Sequence, residues 1–144
     1  MSIDKKNSYI HKLSWQKDKI GKLSSDKKEI IDIATPVDFG GPSGFWSPED
    51  LFVASVNSCI MTTFLYFIEK RKIKLLGYES QAEGFIEKKD SKLTFSKIII
   101  KSMISVAKDD FQKVKKIAEL AKKHCLVSNS INCPIKFSPK IVKT

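Results

Sequence analysis

Three cysteines, Cys59, Cys125 and Cys133, are the residues of this sequence best suited to chemistry. A thiolate is a nucleophile and a metal ligand, and it is the reacting form in disulfide exchange. Cys59 stands in an uncharged stretch with Ser55, Thr62 and Thr63 at i−4, i+3 and i+4. A helix sets those hydroxyls on the cysteine's own face. They can hydrogen-bond a thiolate or a polar ligand, or bond back to helix carbonyls around a plain core cysteine. Cys125 ends an amphipathic stretch in His124-Cys125-Leu126-Val127-Ser128. A helix C-terminus disfavours a thiolate, so Cys125 suits a resolving role better than an attacking one. Cys133, just before Pro134, reads as a buried small hydrophobe. With two histidines, His11 and His124, and no Cys-x-x-Cys pair, no metal is expected. No phosphate loop, dinucleotide fingerprint or HExxH motif is present either.

The elements that must position these thiols follow an α+β order. Residues 8–15 and 28–34 read as strands, and a third short strand near 20–24 makes them a meander. A loop from Phe39 to Trp46 leads to Ser47-Pro48-Glu49-Asp50, a strong helix start. Ser47 suits the N-cap, Pro48 the first helical position, and the two acids the positive end of the dipole. That helix is expected to run to about Lys72. Strands over 75–87 and 92–106 flank Lys88-Lys89-Asp90-Ser91. An amphipathic helix over 109–124 and a last strand from about 134 to 143 complete the chain.

Leu51 to Ile68 carries no charge. About 18 such residues come near the minimum for a membrane span. Ser55, Asn57, Ser58, Thr62 and Thr63 crowd the middle of the run, however. The expectation is therefore no membrane, and a helix buried on all sides of a soluble protein. The length of 144 residues predicts one domain over 1–144. One such chain has little material to enclose that helix, whereas two chains together have enough.

The formal net charge of +10 raises a nucleic-acid reading. Arg71 is the one arginine, though, and the lysines spread over every segment. Arginine is the usual residue for bidentate phosphate and base contacts. Gly41-Pro-Ser-Gly44 matches a nucleic-acid GxxG loop only formally, because Pro42 removes an N–H and no basic residue lies inside. No nucleic acid is expected. The N-terminus lacks an apolar secretory region, and the odd, widely spaced cysteines do not form a disulfide framework, so the reading is cytoplasmic.

Thr35-Pro36, Gly40-Gly41, Ser47-Pro48-Glu49-Asp50-Leu51-Phe52, Ser58-Cys59 and His124-Cys125-Leu126-Val127-Ser128 occur in an order that resembles the osmotically inducible protein C and organic hydroperoxide resistance family (OsmC-like). The resemblance runs from about Trp15 to Val142. It implies curved antiparallel sheets wrapped around a central buried helix in an intertwined homodimer. It implies thiol peroxidase activity on organic hydroperoxides without cofactor, haem or metal, renewed by an external dithiol or lipoylated reductant. By position, Cys59 is the peroxidatic cysteine, Cys125 the resolving one, and Glu49 the helix-start glutamate that orients a catalytic arginine. Glu49 and Cys59 are about 15 Å apart along one helix, so they meet only if two such helices pack antiparallel across a dimer.

Two departures from the family pattern stand out. The arginine is missing: the hairpin that carries it reads Gln16-Lys17-Asp18-Lys19, where Lys17 or Lys19 supplies charge without a planar fork. Leu126 replaces the usual proline of the second motif. The other reading is a non-catalytic relative that binds a small apolar or electrophilic ligand beside Cys59.

Overall fold

The computed structural model describes residues 7–143. Its contacts gather into two compact units, one ending at Leu51 and one beginning at Phe52.

The first unit is an antiparallel meander of β1 (Lys12–Lys17), β2 (Ile20–Ser24) and β3 (Ile31–Ala34). The meander is the expected one. β1 and β3 sit later and shorter than the 8–15 and 28–34 read from sequence, because hydrogen bonding stops where β2 ends. The first turn is tight: Asp18 takes φ 45, and its carbonyl accepts the Trp15 indole N–H at 2.9 Å. At the last residue of β3, Ala34 N donates to Trp46 O at 2.9 Å, which ties the far end of the glycine-rich loop to the strand. At the loop's start, a side chain on Gly41 would collide with the Thr35 carbonyl, so only glycine fits there.

Helix α1 (Pro48–Lys70) begins as its sequence dictates. Asp50 N donates to Ser47 Oγ at 3.0 Å, and Ser47 N donates to Asp50 Oδ2 at 2.9 Å. This reciprocal box satisfies two donors at the helix start that would otherwise have no partner.

The second unit holds the rest of α1 and a sheet of order β4-β5-β6: β4 (Leu75–Lys89), β5 (Lys92–Val106) and β6 (Ile135–Lys143). β4 and β5 pair antiparallel down to Lys89↔Lys92, across Asp90 and Ser91, both at positive φ as a primed hairpin turn requires. β6 lies parallel to β5, from Ile98↔Ile135 to Val106↔Lys143. That corrects the expectation of purely antiparallel sheets. The chain leaves β5 through a short 3-10 turn (Lys108–Asp110), α2 (Phe111–His124) and α3 (Leu126–Asn129). A helical crossover of this length returns the next strand in the same direction. The 3-10 turn also takes the first residues of the expected 109–124 helix.

Alternation along β5 points Ile98, Ile100, Ser102, Ile104 and Val106 inward. Against them pack Val56, Ile60, Phe64 and Ile68 of α1, with Val114, Ile117, Ala118 and Ala121 of α2. Gly84 on β4 permits this approach, because a Cβ there would stand 2.6 Å from Val53 and 2.7 Å from the Phe95 ring. Phe95 in turn stacks on Phe52 at 4.7 Å.

Within the single chain, one face of that apolar helix is buried and the other is left open. α1 buries Val56, Ile60, Thr63, Phe64 and Ile68 but leaves Ser58, Thr62 and Leu65 exposed. The physical reason lies in its small polar residues. Ser58 Oγ donates to Ala54 O, and Thr62 Oγ1 to Cys59 O, so neither hydroxyl needs an outside partner. By length and composition α1 could cross a membrane, yet its inward face is built into the core of this unit.

Candidate active site

Cys59 lies on α1 and is half-buried, whereas Cys125 is fully buried in the same core. The two thiols lie near each other, close enough for the charge of Cys59 to bear on Cys125. Of the three hydroxyls expected on the Cys59 face, one reaches the sulfur: Thr63 Oγ1 stands 4.0 Å from Cys59 Sγ. Ser55 and Thr62 donate instead to the carbonyls of Phe52 and Cys59. The small polar patch is thus reduced to a single buried threonine.

Cys125 occupies two caps at once. It closes α2 and is the N-cap of α3, with φ −66 and ψ 112. Its sulfur accepts the Ser128 amide at 3.5 Å. The Ser128 hydroxyl is buried with no hydrogen-bond partner, near enough to the same sulfur to favour its anion. Burial pushes the Cys125 thiol above its ordinary range, Ser128 pulls it back through hydroxyl and amide, and neighbouring Cys59 pushes it up again. An acceptor at the start of a helical turn meets N–H groups, the opposite of the environment at the end of α2. Leu126 fills the first position of α3, which also accommodates a proline.

Ser128 stands in the second motif, where sequence reasoning assigned it no role of its own. The spacing Cys125-x-x-Ser128 is that of an N-cap and the amide it accepts, a signal readable once a helical turn is expected there. His124, adjacent in sequence, is turned elsewhere: its ring stands 5.7 Å from that of Phe67. Cys133 lies half-buried at the edge of the core, and burial raises its thiol too.

Glu49, Lys17 and Lys19 belong to the first unit. Glu49 is half-buried in the first turn of α1. Lys17 ends β1 and is exposed. The Lys19 ammonium donates to Phe39 O at 3.4 Å and Gly40 O at 3.2 Å, so it holds the glycine-rich loop. Among the described residues, no three His, Cys, Asp or Glu side chains converge as a metal site would require.

Comparison with known proteins places the chain. The family model for OsmC-like proteins matches residues 40–140. An uncharacterised protein of Methanocaldococcus jannaschii is 33% identical over 91 residues, covering 62% of this chain and 47% of its own length. The chain thus matches about half of that curated relative. An OsmC-like protein of unknown function from Vibrio cholerae superposes with a TM-score of 0.80 at 19% identity, over 94% of this chain and 100% of its own. An organic hydroperoxide resistance protein of Legionella pneumophila does so with a TM-score of 0.72 at 20% identity, over 94% and 98%. At these identities the structures speak for the fold, and the family match covers most of the sequence. This chain therefore belongs to the OsmC-like protein family.

Proposed function

We propose that this protein is a thiol peroxidase that reduces organic hydroperoxides through Cys59 and Cys125. The observation that carries the reading is the proximity, in one core, of a half-buried Cys59 and a fully buried Cys125. The exposed thiol can meet a substrate, and the buried one can meet only the first. The Cys59 thiolate attacks the outer peroxide oxygen. The O–O bond breaks, the alkoxide takes a proton and leaves as an alcohol, and Cys59 becomes a sulfenic acid. Cys125 then attacks that sulfur, forming a disulfide and releasing water. An external dithiol, free or lipoylated, restores both thiols. No cofactor takes part in this scheme.

The proposed unit is a cytoplasmic homodimer. Between Leu51 and Ile68 the exposed face of α1 is uncharged, with its Ser58 and Thr62 hydroxyls internally bonded, so covering it with a second copy costs little desolvation. Antiparallel packing of two such helices brings Glu49 of one copy toward Cys59 of the other. Lys17 is the cation offered in place of an arginine, since the Lys19 ammonium is already bound to carbonyls.

The test is consumption of a lipophilic hydroperoxide with dithiothreitol or dihydrolipoamide as reductant. Cys59→Ser is expected to abolish turnover, and full activity in that variant would overturn the reading. The missing arginine and the engaged Lys19 favour a second reading, a non-catalytic protein binding a small electrophile beside Cys59. Stoichiometric modification of Cys59 without turnover would select it.

A further inference from the structure

The buried sulfur of Cys125 is held by donors that attack on a peroxide does not require. The Ser128 amide reaches it at 3.5 Å, and the Ser128 hydroxyl lies beside it, buried and unpartnered. A buried hydroxyl without a partner is uncommon and calls for a cause. A neutral thiol is a weak acceptor, whereas a thiolate is a strong one. The site is therefore incomplete for the thiol and complete for its anion.

We propose that Ser128 stabilises Cys125 as the leaving thiolate when an external dithiol opens a Cys59–Cys125 disulfide, and so directs the incoming thiol to Cys59. This rests on the reading above that these two thiols pair. Burial fixes the direction of attack. Cys125 is fully enclosed, while Cys59 is partly open, so an incoming thiolate reaches the Cys59 sulfur. The new S–S bond forms between reductant and Cys59 while the old one breaks. Its electron pair goes to Cys125 Sγ, where the Ser128 N–H and O–H receive it. The reductant's second thiol then attacks its own sulfur, releases the Cys59 thiolate and departs as a cyclic disulfide, and Cys125 takes a proton from solvent. Exchange is faster the better the leaving thiolate is stabilised. Burial alone would oppose that anion, and Ser128 is the group that works against burial here.

The experiment makes the disulfide with diamide, so that it does not depend on peroxide chemistry, and follows its reduction by dithiothreitol. Ser128→Ala is expected to slow reduction about tenfold, the usual worth of one hydrogen bond to a charged group. Ser128→Thr, which keeps the hydroxyl, restores the rate. In a Cys59→Ser background, the Cys125 Cβ resonance followed by NMR against pH reports its titration directly, without a reagent having to reach the enclosed sulfur. Ser128→Ala is expected to move that midpoint upward by about one pH unit. A merely structural role would not shift it. In the unaltered protein, a monothiol is expected to be trapped as a mixed disulfide on Cys59. Should Ser128→Ala not fold, Ser128→Gly is the second hydroxyl-free variant, and the trapping experiment needs none. Unchanged rate and midpoint, an adduct on Cys125, or failure of diamide to join Cys59 to Cys125 would each overturn the inference. Absence of hydroperoxide turnover alongside the expected diamide results would remove the peroxidase reading alone.

Discussion

The two units of this chain solve the problem of burying apolar surface in opposite ways. From Phe52 onward, thirteen hydrophobic residues are enclosed between sheet and helices, Cys125 among them. Up to Leu51, Ala34 is the one described hydrophobic residue so enclosed. Tyr9, Ile10, Leu13, Trp15 and Trp46 instead stand more than half exposed. A three-stranded meander gains independent stability only when its apolar face is covered. The contrast teaches where self-sufficiency ends. One chain brings the two thiols together by itself, whereas its first unit leaves its apolar side chains open.

The largest expected effect tests the self-sufficient side. Phe64 is fully buried, so Phe64→Ala is expected to cost about 3–5 kcal/mol in chemical denaturation. Trp15→Ala, at 75% exposure, is expected to change that stability by under about 0.5 kcal/mol. Equal loss of core stability from both substitutions would break the comparison.

A smaller effect concerns pH. Cys125 and Cys133 are held above the ordinary thiol value of 9.0 by burial, and Tyr78 above 10.0. For each, the unfolded chain loses its proton first as pH rises. The stability they contribute is therefore complete below about pH 9 and declines above it. Denaturation at pH 8 and pH 10 is expected to show that fall, and Cys125→Ala to flatten it. A stability rising toward pH 10 would contradict the assignment. The smallest effect belongs to the first unit. The exposed ion pair of Lys22 with Asp32, at 2.8 Å, is expected to be worth under about 1 kcal/mol, so Asp32→Asn should barely move the unfolding midpoint.

Much of this was legible because it is local. Ser47, Pro48 and Asp50 announce the start of α1 through cap chemistry that needs only neighbours in sequence. The β4–β5 hairpin and the amphipathic α2 were likewise readable from turn residues and periodicity. The direction of β6 was not, because strand pairing depends on where a crossover lands and no residue of Ile135–Lys143 encodes that. Lys19 could be read as a cation, but that its ammonium is bound to two carbonyls twenty residues away was invisible until the loop closed.

The cysteines draw the same line. Their types, the uncharged helix around Cys59 and the family motifs followed from sequence alone, because residue chemistry and helical spacing are properties of the chain. Their meeting is a tertiary event. Cys59 and Cys125 are 66 positions apart in sequence, and only the packing of α1 against the end of α2 makes them neighbours. The same packing buries one sulfur and leaves the other half-open, and it sets the Ser128 amide and hydroxyl at the buried one. Accessibility and donor geometry belong to the folded arrangement of several elements, and they give two chemically identical side chains different surroundings.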